Sequence, residues 1–371
     1  MIFLADYTLK IVALGSALLG IVAGSLGTFA VLRKQSLLGD SISHAALPGI
    51  VLAFMITGSK SSLILLLGAA VAGWIGSYFI LGIIRHSRIS SDGAQGVILS
   101  VFFGIGLLLL TYIQSQPNAA QAGLDKYLFG QAAALLKEDL WITVIFGTVA
   151  IICMALFWKE FKLMTFDPIY GQSLGFSERA TDLMITALIV IAIVTGLSTV
   201  GVILMSSMLI APASAARQWT NKMGAMVVLS AFFGALGGVA GALLSSLIPN
   251  LPTGPAIVLC LTAIVILSLL LSPNRGILAR SAQRYRNRFA FSLQKLLLDL
   301  YHLEENHTDG ERAHSIKTIS LIRSREGNIR IALQALQSNN WATQTDEKLW
   351  TLTQDGRIQA EKLLNKGEEN L

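Results

Sequence analysis

The sequence predicts an all-α polytopic membrane protein of about nine transmembrane helices, or eight on a second reading, followed by a small α+β domain. Three observations carry this. The 371 residues are 53% hydrophobic and 13% charged, with a mean hydropathy of +0.63, which excludes a disordered chain and is too apolar for an ordinary soluble enzyme. Charge is unevenly placed: residues 1–280 carry 15 Lys/Arg and 10 Asp/Glu, whereas residues 281–371 carry 13 and 12. Finally, the basic residues of the apolar part fall in alternate loops. The expected organisation is a membrane domain over 1–275, a basic linker over 276–288 and a soluble domain over 289–371.

Apolar runs of roughly 17–25 residues, enough to cross a bilayer, occupy 11–32, 41–57, 62–84, 93–113, 139–158, 181–199, 200–216, 224–248 and 255–272. The sixth and seventh nearly abut, and counting them as one broken unit gives eight. Asp6 and Lys10 precede the first run without a small-residue cleavage site, so it reads as a span and not a removable signal. With nine spans and the N-terminus outside, the inner loops hold Arg33, Lys34, Arg85, Arg88, Lys159, Lys162, Arg179, Arg217, Lys222, Arg275 and Arg280. That is 11 basic residues against four outside, Lys10, Lys60, Lys126 and Lys137, so the positive-inside rule puts the tail in the cytoplasm.

Small residues recur at four-residue spacing, as in Gly20/Gly24, Gly68/Ala72/Gly76, Gly234/Gly238/Ala242 and Gly237/Gly241/Ser245. Lipid supplies no hydrophobic drive between helices, so such stripes point to close backbone packing. Cys153 and Cys260 lie within apolar runs and read as packing residues. Two connections exceed tight turns. The outer one, 114–139, contains the amphipathic stretch 124–130. The inner one, 159–179, has a helix start at Asp167-Pro168 and a stop at Gly175, so a short helix facing the cytosol is expected there, suited to docking a partner.

The chemistry-bearing stretch opens the second span: Gly39-Asp40-Ser41-Ile42-Ser43-His44-Ala45-Ala46-Leu47-Pro48-Gly49. Asp40 and His44 are one helical turn apart and share a face. Ionisable groups inside spans are costly and mark ion or substrate paths. A carboxylate with a neutral imidazole suits a divalent transition metal such as Mn²⁺, Fe²⁺ or Zn²⁺, and two ligands form an open site rather than a closed structural one. A second reading has Asp40, Ser41 or Ser43 capping the helix while His44 bonds a neighbouring carbonyl. Pro48, four residues beyond His44, frees a backbone carbonyl nearby and favours the metal reading. No Gly-x4-Gly-Lys-Ser/Thr loop occurs, so ATP hydrolysis by that route is excluded.

These residues resemble the signature of the manganese/zinc/iron permeases of ABC importers. Further matches follow in order: Tyr127-Leu128-Phe129-Gly130; Phe166-Asp167-Pro168 with Leu174-Gly175; Val200-Gly201-Val202-Ile203-Leu204 running into Leu209-Ile210-Ala211-Pro212-Ala213; Ala215-Ala216-Arg217; and Pro252-Thr253-Gly254-Pro255. The similarity covers about residues 5–275. It implies a bacterial inner-membrane permease with no permanently bound cofactor. The implied partners are a second permease, identical or paralogous, a cytoplasmic ATPase pair and an extracytoplasmic metal-binding protein. It also implies that Asp40 and His44 contact the metal, and that Asp167, Pro168, Tyr170, Gly171, Leu174 and Gly175 form the element coupled to the ATPase.

The tail departs from that pattern. Phe289, Leu293, Leu296, Leu297, Leu300 and Leu303 recur at helical spacing; further helices are expected over 316–324 and 328–338, strands over 341–343 and 348–351, and a helix over 354–365 capped by Thr353. This order resembles the winged-helix domain of diphtheria-toxin-repressor-type metalloregulators. On a DNA-binding reading, Asn328, Arg330, Gln334 and Gln337 would face the major groove and Arg323 and Arg325 the phosphates. Against it, the tail from residue 281 is only +1 net, 13 minus 12, and partner docking is the alternative. His302, His307 and His314 beside Glu304 and Glu305 read as a solvated surface rather than a metal site, since a spacing of five does not share a helical face. Two other functions stay open at this point: a membrane-tethered metal-linked transcription regulator, and a metal transporter needing no ATPase.

Overall fold

The computed structural model describes residues 7–59, 61–115, 137–197, 199–248, 251–273, 275–306, 315–316, 329–345 and 349–368. The chain divides into two compact units, Met1–Ile277 and Leu278–Leu371. In the first, the helices run α1 Tyr7–Leu32, α2 Leu38–Thr57, α3 Ser62–His86, α4 Ser91–Gln114, α5 Lys137–Leu156, α6 Trp158–Phe166, α7 Pro168–Ser173, α8 Glu178–Gly196, α9 Val202–Trp219, α10 Met223–Leu247 and α11 Thr253–Leu271. Among the described residues, eight of these are long and apolar enough to cross a membrane: α1, α2, α3, α4, α5, α8, α10 and α11.

The expected sixth and seventh spans are two separate helices. They part at Gly201, whose φ of 87° is a left-handed conformation that glycine adopts freely, and Gly201 then precedes the first turn of α9. Helix α9 takes the place of the seventh span yet falls short of the others in apolarity, because it carries Ser206, Ser207, Ser214 and a final Arg217-Gln218-Trp219. It compensates by position, packing against α1, α2, α10 and α11.

Helix α1 is the hub, lying against α5, α8, α9 and α10. Its small residues do the work expected of them. A Cβ built on Gly20 would fall on the carbonyl of Gly234, and one on Gly234 would fall on the carbonyl of Gly20. Gly24 meets Ser230, whose hydroxyl donates to the Gly24 carbonyl at 2.6 Å. Gly234→Val is therefore expected to cost at least about 1–3 kcal/mol, the usual penalty for overpacking. Gly104→Ala, in open space on α4, should be neutral or slightly stabilising. Thermal unfolding of the two detergent-purified variants against the parent checks this contrast.

The second unit consists of α12 Ile277–Asn306, α13 Ile329–Ser338, a hairpin of β1 Ala342–Gln344 with β2 Trp350–Leu352, and α14 Gln354–Glu368. The strands are antiparallel with Ala342 opposite Leu352. The stretch expected as a basic linker is helical, part of α12, because no Gly or Pro interrupts 277–306 and its Leu, Ala, Arg and Gln residues favour helix. Leu296, Leu297 and Leu300 of α12 pack with Leu333, Leu336, Trp350, Leu352 and Ala360. Thr353 caps α14, its Oγ1 accepting from Gly356 N at 3.0 Å. The expected helix over 316–324 lies outside the described residues apart from Ile316.

Glu304 closes this core. It is nearly buried and accepts from Leu352 N at 2.7 Å and from Arg357 Nε and Nη2 at 3.0 and 2.9 Å. Arg357 is more than a third exposed and can turn to water, but Leu352 N loses its acceptor, at a cost of about 1–3 kcal/mol, so Glu304→Ala should make the segment from residue 278 onward sensitive to limited proteolysis in the full-length chain while the membrane unit stays intact.

Candidate functional site

The site is built on the first two turns of α2. Leu37 occupies the capping position and no side chain caps this end. Ser41 Oγ sits within reach of the carbonyls of Leu37 and Gln95, at 2.9 and 3.0 Å, and Ser43 Oγ donates to Gly39 O at 2.7 Å. The serines thus bond back along the helix and across to α4, and the capping reading of this stretch is not what forms.

Asp40 Oδ1 lies 3.4 Å from His44 Nε2. His44 is only 9% exposed, and its ring stands edge-on to Phe103 of α4 with centroids 4.5 Å apart. Its Nδ1 is buried without a hydrogen-bond partner among the described residues, so the expected alternative bond to a carbonyl is absent too. A buried polar atom without a partner costs about 1–3 kcal/mol. Pro48, inside α2, lacks an N–H, so the His44 carbonyl also has no helical donor four residues on. Carboxylate, imidazole and a freed carbonyl oxygen therefore gather on one helix.

Depth follows from the neighbours. Ala45 packs against Gly76 of α3, Gly49 against Gly68, and Gly39 against Leu209 and Ser206 of α9. Gly76 is ten residues before the end of α3 at His86, about 15 Å at 1.5 Å per residue. His44 therefore lies a little to the His86 side of the middle of α3, and Asp40 one turn closer to that end. Among the described residues no third His, Cys, Asp or Glu joins the pair. The site is open by construction.

The second candidate element is α7. Asp167 Oδ1 accepts from Tyr170 N at 3.0 Å and Pro168 fills the first helical position, the start expected from the sequence. Gly171 is buried, and a Cβ there would collide with Met164 Sδ of α6, so glycine lets α7 sit on α6. Gly175, at φ 91°, ends the turn. Ile169, Tyr170 and Leu174 are left exposed, Ile169 by 81%. Helix α6 itself was not expected; its Trp158 and Phe161 meet Phe29 of α1 edge-on, with centroids 6.3 and 5.8 Å apart.

Sequence reasoning also missed Asp182, which accepts from Arg33 Nη1 at 2.6 Å, and Gln95, which is fully buried with Oε1 unpartnered. The signal for each was a polar residue just inside an apolar run. Tyr127, Leu128, Phe129 and Gly130 lie outside the described residues, as do Arg323, Arg325 and Asn328. Arg330, Gln334 and Gln337 all belong to α13, and both glutamines are exposed. His302 Nδ1 is 3.7 Å from Glu305 Oε2, and Glu304 is engaged by Arg357.

Residues 5–272 match the model of the ABC 3 transport family. The chain is 51% identical over 282 residues to the zinc transport system membrane protein TroC of Treponema pallidum, covering 76% of this chain and 95% of that one. It is 40% identical over 343 residues to the manganese transport system membrane protein MntC of Bacillus subtilis, covering 92% and 78%. At 92%, that similarity must run beyond residue 272 into the second unit. Among solved structures, PsaBC from Streptococcus pneumoniae in complex with Fab aligns with a TM-score of 0.65 at 31% identity, covering 73% of this chain and 94% of that one. None of these relatives is named as a regulator or an iron transporter.

Proposed function

The chain belongs to the ABC 3 transport family, and we propose that in it Asp40 and His44 hold a divalent transition-metal ion in transit, manganese or zinc, the ions for which its relatives are named. It is a multi-pass membrane permease subunit, and ATP hydrolysis belongs to a separate partner chain. The observation that carries the metal reading is the buried pair on α2, with its unpartnered imidazole nitrogen and the carbonyl released by Pro48. A carboxylate and an imidazole are too few to trap a cation, which supports transit over storage. The remaining ligands come from water and from a second permease subunit, identical or paralogous, facing this one.

The excess of basic residues in alternate loops supports a bacterial inner-membrane orientation with the N-terminus outside and residues 278–371 in the cytoplasm. An extracytoplasmic metal-binding protein delivers the ion, and α7 docks on a cytoplasmic ATPase pair, whose ATP-driven closure switches access to the site. Neither the DNA-binding nor the regulator reading of the tail has support. Proteoliposomes holding both permeases and the ATPase, with the binding protein outside, should accumulate radiolabelled Mn²⁺ or Zn²⁺ only when ATP is present. Uptake of equal rate without the ATPase overturns the importer reading.

A further inference from the structure

We propose that Asp182 is a positioning residue for energy coupling: it joins the docking helix α7 to the start of the metal-holding helix α2 through polar contacts linked by the first turns of α8 and the turn after α1. This inference rests on the docking role assigned above to α7. The path can be followed contact by contact. Gln172 Nε2, on α7, donates to Glu178 Oε2, in the first turn of α8, at 2.8 Å. One turn along α8, Asp182 Oδ1 accepts from Arg33 Nη1 at 2.6 Å, and its Oδ2 lies 3.9 Å from Arg85 Nη2. Arg33 directly follows the last residue of α1, and Arg85 lies in the last turn of α3.

From Arg33 to α2 the path is short and stiff. Lys34 sits at φ 59°, Gln35 N donates back to Ala30 O at 2.9 Å, and Leu38 N donates to Gln35 O at 3.2 Å. A movement of the Arg33 end is thus handed to the first turn of α2, which carries Asp40. Phe29, one turn before Arg33, is held by Trp158 and Phe161 of α6. The segment around the docking helix therefore grips the end of α1 by an apolar contact and an ionic one.

Two features separate Asp182 from an ordinary surface ion pair, which contributes little. The side chains of Arg33 and Asp182 are 11% and 19% exposed, so the pair is shielded from competing water and salt. The carboxylate also stands between two guanidinium groups at unequal distance, close to Arg33 and near contact with Arg85. One carboxylate oxygen faces each guanidinium, so a small shift of α8 against α1 and α3 alters both contacts at once. A shielded contact shared by three helices can carry such a shift between distant sites.

The test uses the complete importer in proteoliposomes, with radiolabelled Mn²⁺ uptake and phosphate release measured on the same vesicles. Asp182→Asn should leave assembly and ATP hydrolysis in place while metal moved per ATP falls about tenfold, within the range typical of coupling between linked sites. Asp182→Glu, which keeps the charge, should restore most of the stoichiometry. Arg33→Met combined with Asp182→Leu replaces the shielded pair by apolar side chains, a change that commonly preserves stability, and should still be uncoupled. An assembled variant lacking the carboxylate that moves metal at the parent stoichiometry overturns the proposal. Failure of both carboxylate-free variants to assemble reduces Asp182 to a structural pair and overturns it equally. Parent vesicles that move no metal overturn the importer reading, and this inference with it. Parent transport with unchanged coupling in the variants removes this inference alone.

Discussion

Asp40→Ala and His44→Ala are each expected to bring metal uptake to background while both permeases and the ATPase still purify together. The argument is one of ligand count. A transit site holds its ion briefly with few protein groups, so each group it has matters more than in a four-ligand site. On the proposed reading, two side chains 3.4 Å apart on one turn of α2 are this chain's ionisable contribution among the described residues. Losing an outer partner of a metal ligand already costs about 10–100-fold in affinity or activity, and losing a ligand itself should exceed that. Assembly should survive, since Asp40 is partly exposed and losing the His44 ring also removes a buried nitrogen without a partner, which offsets part of the packing lost against Phe103. Asp40→Glu keeps an oxygen ligand but moves it by one methylene, so it should retain measurable uptake with an altered Mn²⁺ to Zn²⁺ preference. Parent-level uptake in both alanine variants would sink the assignment of the site.

The place of this site was only half legible in the sequence. Asp40 follows Lys34 by six residues, so spacing alone places the pair only near one end of the span. The fold adds what spacing cannot: the turn over 33–37 folds back through Gln35 and Lys34, so the first turns of α2 are already set against Gly76 of α3 and Ser206 and Leu209 of α9. His44 therefore reaches close to the middle of α3, while Asp40 lies one turn nearer the His86 end of that helix. The small-residue stripes were readable as packing because period and residue size suffice for that inference, and Gly20 meeting Gly234 across more than two hundred positions shows what they pack against. Asp182 was not readable, because an acid at the edge of an apolar run looks like a solvated end until Arg33 and Arg85 are seen beside it. Helix α6 escaped for a related reason. Lys159, Glu160 and Lys162 mark it as loop, and only the packing of Phe161 beneath Phe29 reveals the buried side.

Ile169→Glu combined with Tyr170→Glu is expected to release the ATPase from the complex, with both permeases still paired in the membrane and uptake lost. Helix α7 lies outside the apolar spans, yet it presents Ile169 and Tyr170 to solvent, flanked by the exposed Leu174, Phe166 and Phe176. Isolated exposed apolar residues need no explanation, but a cluster on a short, rigidly capped helix marks an interaction surface. Its backbone is fixed in advance by Asp167, Pro168, buried Gly171 and left-handed Gly175, so docking orders little that is not already ordered. Burying one large apolar side chain is worth about 1.5–3 kcal/mol, and charging two of them forfeits that gain and adds a desolvation cost. A loss of roughly 3 kcal/mol is already more than a hundredfold in affinity, enough to dissociate the ATPase during purification. Co-purification decides it, and the comparison with Asp40→Ala sharpens the result. The α2 variant should keep its ATPase and fail to move metal; the α7 variant should fail because the ATPase is gone. An ATPase that stays bound at parent stoichiometry in the α7 variant would move the docking surface elsewhere on the molecule.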